Sequence, residues 1–149
     1  RPSVLYDFYG GSGVSALSCA DIVEVVRSIE SVGSATVDGE HNAKVNGVEN
    51  VFFTTERVKN YLLAVQQSGG CEPGAAAIVD PPRSGMVPKA LRRLVDVAPE
   101  NLLYVSCKPE QTAIELPALL ERYELAAVDA VDMFPHTHHV ECLLALRRR

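Results

Sequence analysis

At 149 residues and 47% apolar content, the chain can fill one hydrophobic core and is too short for two ordinary domains. Its formal net charge of −5, with Arg147-Arg148-Arg149 as the one dense basic run, argues against an RNA-binding module that works alone. No stretch approaches the roughly 18 apolar residues of a membrane span, and the opening Arg1-Pro2-Ser3 is no charged-then-apolar leader and lacks a methionine, so the chain reads as a cut piece of a cytoplasmic protein.

Val4 to Tyr9 predicts a strand that runs into Gly10-Gly11-Ser12-Gly13 and a short helix from Val14 to Ala20. Glycines at such a turn let the backbone approach a ligand closely, and the helix start offers unpaired N–H groups. A second apolar run, Val23 to Ile29, ends in Glu30. In doubly wound nucleotide-binding folds an acidic side chain at the end of the second strand receives ribose hydroxyls. Glu30 is therefore the ribose-binding candidate, with an ordinary helix cap as the alternative.

Ser31 to Asn46 has helical spacing in its later half and stops at Asn46-Gly47. Val51 to Phe53 is a short strand, and Glu56 to Gln67 a helix with Val58, Leu62 and Val65 near one face. After the loop Ser68 to Gly74 come a strand (Ala75 to Val79), a helix (Pro88 to Val97), a strand (Leu102 to Ser106) and a helix (Thr112 to Arg122). Leu125 to Met133 and Glu141 to Leu146 are then consecutive strands with no helix between them, so they pair as an antiparallel hairpin. A dehydrogenase domain repeats βαβ units instead. The pattern predicts an α/β, Rossmann-like fold with a mostly parallel seven-stranded sheet and an antiparallel C-terminal hairpin, the layout of a class I S-adenosylmethionine-dependent methyltransferase.

Three polar breaks at strand ends carry the chemistry. They are Asp80-Pro81-Pro82-Arg83-Ser84-Gly85, Val105-Ser106-Cys107-Lys108-Pro109, and His136-Thr137-His138-His139-Val140-Glu141. A thiol at Cys107 would be held at the carboxyl end of a strand, where open α/β sheets place their ligands. The four cysteines show no CxxC pairing, and unpaired thiols suit a reducing compartment. Cys19, Cys71 and Cys142 read as core thiols. Cys142 follows Glu141 in a strand, so its side chain should take the opposite face. The three histidines lack a clear further ligand, so no metal is expected. Arg83, fixed in direction by two prolines, and Lys108 are candidate phosphate contacts. Phe52, Phe53 and Phe134 read as core aromatics.

Together with Asp7-Phe8-Tyr9-Gly10-Gly11-Ser12-Gly13 and Asp132-Met133-Phe134-Pro135, these blocks resemble, in order and over nearly the whole chain, the catalytic domain of the RNA uracil-5-methyltransferases, which make 5-methyluridine in tRNA and ribosomal RNA. The resemblance implies an enzyme using S-adenosyl-L-methionine on RNA, tRNA before ribosomal RNA. Tyr9, Gly10, Gly11 and Gly13 would border the cofactor, with Glu30 on its ribose and Asp80 where cofactor and uracil meet. Cys107 would be the nucleophile and Glu141 the base that removes the C5 proton; Arg83 and Lys108 would face the substrate. Lys108 stands where the family usually has asparagine, Val14 replaces a polar residue, and Thr54-Thr55-Glu56-Arg57 lacks the acidic loop that often reaches the adenine. Family members carry a region upstream of the cofactor turn, so an upstream segment or a separate chain is expected to supply much of the RNA grip. Two other readings stay open: a methyltransferase acting on an amine, with Cys107 incidental, and a non-catalytic cofactor-binding remnant.

Overall fold

The computed structural model describes residues 2–149 of the chain; Arg1 lies outside the described residues. The first strand, β1 (Val4–Phe8), is buried along its whole length, as expected for a parallel strand covered on both faces. It is followed by α1 (Val14–Ser18), β2 (Val25–Glu30), α2 (Gly33–Val45), β3 (Val51–Thr55), α3 (Val58–Gln67), β4 (Ala76–Val79), α4 (Pro88–Val97), β5 (Asn101–Ser106), α5 (Pro109–Leu119), β6 (Tyr123–Val131) and β7 (Glu141–Arg148). The strands form one sheet in the order β3-β2-β1-β4-β5-β7-β6. The first five are mutually parallel, and β7 runs antiparallel between β5 and β6.

Helices lie on both faces. On one, Val58, Leu62 and Val65 of α3, Ala90 and Leu94 of α4 and Leu119 of α5 pack with Tyr6, Phe8, Ala77, Val79, Tyr104 and Leu144 of the sheet. Tyr6 and Phe8 stack at 5.7 Å between centroids, and Tyr61 meets Phe8 edge-on at 6.3 Å. On the other, Ala16 of α1 packs with Leu5, Val26 and Val51, joined by Phe53. Phe53 fills the space that a Cβ at Gly13 or Gly39 would take, so α2 and the glycine turn can close onto its ring.

The expected elements are present with shifted ends. The fifth helix starts at Pro109 rather than Thr112 because proline suits the first helical position, where its missing N–H costs nothing. It stops at Leu119 rather than Arg122, just after Pro117 removes a hydrogen bond from its interior. Phe52 and Phe134 are not core residues: they are 57% and 53% exposed. In β3, alternation turns Phe52 away from the face that takes Phe53, and Phe134 lies in the exposed connection between β6 and β7.

Candidate active site

The carboxyl ends of the parallel strands put the sequence candidates along one edge, with the chain order reversing between β1 and β4. Tyr9 and Gly10 both donate their N–H groups to Ile29 C=O, at 3.0 and 3.1 Å, which ties the start of the glycine turn to the end of β2. Tyr9 sits at φ 65°, a left-handed conformation rare for an aromatic residue, and this turns the chain out of the strand. A Cβ at Gly10 would overlap Ser28 Oγ and lie 2.6 Å from Asp7 Oδ2, whereas one at Gly11 would meet nothing within 4 Å. The turn is thus seated on a buried polar pair below and open above.

Glu30 is held in place by that turn. Its Oε2 accepts Gly11 N–H at 3.2 Å, and its Oε1 accepts Val32 N–H at 2.9 Å and Ser31 Oγ at 3.1 Å. The carboxylate therefore braces the entry to α2 and the glycine turn together. Beside it, a cleft of about 620 Å³ is lined by Tyr9, Ser31, Arg57, Val58, Lys59, Val87, Pro88 and Lys89. A largely apolar cleft next in chain to a fixed carboxylate suits a nucleoside, and the open space over Gly11 leaves room for its extension.

At the other end of the edge, Cys107 follows β5 at the apex of a turn in which Ser106 Oγ accepts Lys108 N–H at 3.1 Å. Strand β5 pairs with β7 so that Ser106 lies opposite Cys142. Cys107 comes one residue after that last pair and Glu141 one residue before Cys142, so both half-buried residues belong to the same end of the β5–β7 pair, with Glu141 on the side of the sheet away from Cys142. Asp80 follows β4 and donates its N–H to Phe8 C=O at 3.3 Å. Its carboxyl is pushed above the ordinary carboxylate range, first by partial burial and then by the charge of Glu141, which lies near it. Arg83 is exposed on a turn closed by Gly85 N–H on Pro82 C=O at 2.7 Å, and Lys108 is exposed at the start of α5. His138 and His139 lie 4.3 Å apart between ring centroids in the β6–β7 connection.

Two acids that the motif reading left without roles are built into this edge. Asp7 is 1% exposed beneath the glycine turn and accepts Ser28 Oγ at 3.1 Å. Burial, opposed by the Ser28 bond and reinforced by the charge of Asp80, pushes its carboxyl up to about 6. A folded-state value above that of the unfolded chain means that stability is lost as pH rises from about 4 through about 6. Asp7→Asn is therefore expected to melt higher than the parent at pH 7.5, with the difference vanishing near pH 4. Thermal melts across that range check it, and a variant that melts lower than the parent at pH 7.5 would overturn the expectation. The second acid, Glu115, is 4% exposed on α5. Its signal in the sequence was a glutamate on the same helical stripe as Thr112 and Leu119, both also buried.

Five parallel strands, an inserted antiparallel strand and a nucleoside-sized cleft at the point of order reversal define the class I S-adenosylmethionine-dependent methyltransferase fold. Within it, residues 71–149 match the family described as tRNA (Uracil-5-)-methyltransferase, and the chain belongs to that family. It is 30% identical to the Pyrococcus abyssi tRNA (uracil-54, C5)-methyltransferase solved in complex with S-adenosyl-L-homocysteine, with a TM-score of 0.82 over 98% of this chain and 34% of that one. An uncharacterized RNA methyltransferase of Caldanaerobacter subterraneus is 38% identical over 97% of the chain, and one of Streptococcus pyogenes 35% identical over 98%. The chain spans 31% of the length of each of these two relatives. An rRNA methylase of Streptococcus thermophilus, at 16% identity and a TM-score of 0.73, shares the fold. No helix among the described residues is long and apolar enough to cross a membrane.

Proposed function

We propose that this chain transfers a methyl group to carbon 5 of a uridine in RNA, tRNA before ribosomal RNA, through a transient covalent bond to Cys107. The observation that carries the reading is the nearness of Glu141 to Asp80 at the strand-end edge where Cys107 also emerges from β5. Family membership and the substrate named for the Pyrococcus abyssi enzyme support it. A cytoplasmic address goes with such a substrate.

Carbon 5 of uracil is a poor nucleophile. Addition of the Cys107 thiolate to carbon 6 sends the ring's electron pair to carbon 5, which becomes enolate-like and takes the methyl group. Glu30 would hold the ribose of S-adenosyl-L-methionine, with Tyr9, Gly10, Gly11, Gly13 and Asp80 around it, and the cofactor when bound would offer that methyl on a positively charged sulfur. Carbon 5 then holds both methyl and proton. Glu141 removes the proton, the ring double bond re-forms, and the carbon–sulfur bond breaks to release Cys107 as thiolate. No metal enters the sequence. The reacting uridine has to leave its stack to reach the edge, with Arg83 and Lys108 facing its backbone. With the chain at net charge −5, the rest of the RNA grip falls to a segment or chain beyond these residues.

RNA containing 5-fluorouridine separates this route from amine methylation. The fluorine cannot be abstracted as a proton is, so the thiol route leaves a denaturant-resistant protein–RNA adduct, whereas an amine route leaves none. Absence of an adduct from an enzyme that methylates RNA would overturn the uridine reading. The cofactor assignment has its own test. A charged acceptor on ribose hydroxyls contributes about 1.5–3 kcal/mol, so Glu30→Ala is expected to weaken S-adenosyl-L-methionine binding by roughly tenfold or more in titration calorimetry. An unchanged dissociation constant would leave Glu30 as a brace of the β2–α2 turn alone.

A further inference from the structure

Asp80 and Cys107 lie on separate segments, and one buried side chain is bonded to both. Glu115 accepts Met86 N–H at 2.9 Å, from the loop that follows Asp80 and Arg83. It also accepts the hydroxyl of Tyr104, three residues before Cys107 on β5, and the Gln111 side-chain amide at 3.0 Å, from the first turn of the helix that starts behind Lys108. Three donors satisfy a carboxylate that burial would otherwise make costly. Gly85, at φ +79°, lets the loop close down onto it: a Cβ there would overlap Glu115 Oε1 and lie 2.8 Å from Gln111 Cγ. Glu115 is itself too deep to touch a substrate.

We propose that Glu115 is a positioning residue of this site, setting the separation between the Asp80 loop and the Cys107 strand end. Its catalytic consequence rests on the uridine C5 reading given above, while its grip on the loop does not. The loop leaves β4 with two prolines and, among the described residues, no strand neighbour beyond Asp80, so the Met86 bond, together with the burial of the Met86 side chain, ties it down on the Cys107 side. Releasing that anchor leaves each half of the site folded and lets their spacing vary. A displacement of about 1 Å between reacting groups can cost on the order of 100-fold in rate.

The test uses the full-length protein at a temperature well below every variant's melting point, with Glu115→Ala, Glu115→Gln and Tyr104→Phe. Glutamine keeps the volume and can turn its carbonyl to Met86 N–H and the Gln111 amide, which share one oxygen, and its own amide to the Tyr104 oxygen, so it can restore all three links. Glu115→Ala is expected to lower kcat for uridine methylation by about 100-fold, with KM for RNA and the S-adenosyl-L-methionine dissociation constant within about threefold of the parent. Glu115→Gln should recover kcat to within about tenfold. Hydrogen exchange at the Met86 amide should rise in the alanine variant and not in the glutamine one. Parental kcat in Glu115→Ala, a kcat loss that glutamine does not recover, or Met86 exchange equal to the parent's would each overturn the proposal. Should Glu115→Ala fail to fold, Tyr104→Phe decides, since it removes the β5 link alone: a kcat lowered about tenfold at constant KM supports the proposal, and an unchanged kcat overturns it. If the parent protein methylates no uridine, the uridine reading falls, and Met86 exchange still reports whether Glu115 holds the loop.

Discussion

Cys107→Ser is expected to abolish uridine methylation and adduct formation while leaving the S-adenosyl-L-methionine dissociation constant within about twofold of the parent, because the thiol lies at the far end of the edge from Glu30 and the glycine turn. A serine hydroxyl keeps the shape of the turn between Ser106 and Lys108 but is protonated at any working pH and is a hard, weak nucleophile. The fold should survive, since Cys107 is half-buried and its turn is closed by the Ser106 hydroxyl and the Lys108 amide rather than by the thiol. Methylation assays on the full-length protein, paired with calorimetry of cofactor binding, measure both halves of the expectation. Equal methylation by variant and parent would rule out covalent catalysis at this position.

Glu141→Gln is expected to act later in the reaction and to leave a different trace. Addition and methyl transfer need no base at carbon 5, so the variant should proceed to the methylated, cysteine-bound base and stop there. Loss of a general base typically costs about 10²–10⁴-fold in turnover, and here the stalled species should appear as a denaturant-resistant adduct with ordinary, unfluorinated RNA. Removing the Glu141 charge also takes away one of the influences that raise the Asp80 carboxyl, which should then ionise at lower pH. Parental turnover would exclude Glu141 as the base. Slow turnover with no adduct would move its role to an earlier step.

The sheet and its hairpin were legible because each depends on local patterns: β-branched runs ending at glycine or proline, and two strands too close in sequence to enclose a helix. The placement of Cys107, Glu141 and Asp80 at strand ends was legible for the same reason, since each sits where an apolar run breaks. The order of the strands lay beyond local pattern, so the place of Cys107 and Glu141 at one end of the same strand pair could not be read until β7 was seen to insert beside β5. Glu115 was missed because its worth lies in three donors from three segments, and only its place on a buried helical stripe hinted at it. Phe52 and Phe134 misled in the opposite way. An aromatic ring is usually taken inside, but strand alternation and an exposed connection leave these two outside.

The strand that carries Glu141 is interior to the sheet. Residues 141–148 fill a slot between β5, which pairs with β4 on its other side, and β6, which ends the sheet among the described residues. A polypeptide still emerging from a ribosome, or clipped within that strand, thus has an unfilled gap in its sheet at the point where the base would stand. Loss of catalysis and loss of folding then coincide, so damage there should deliver a substrate for proteases rather than a stable, inactive protein that competes for RNA.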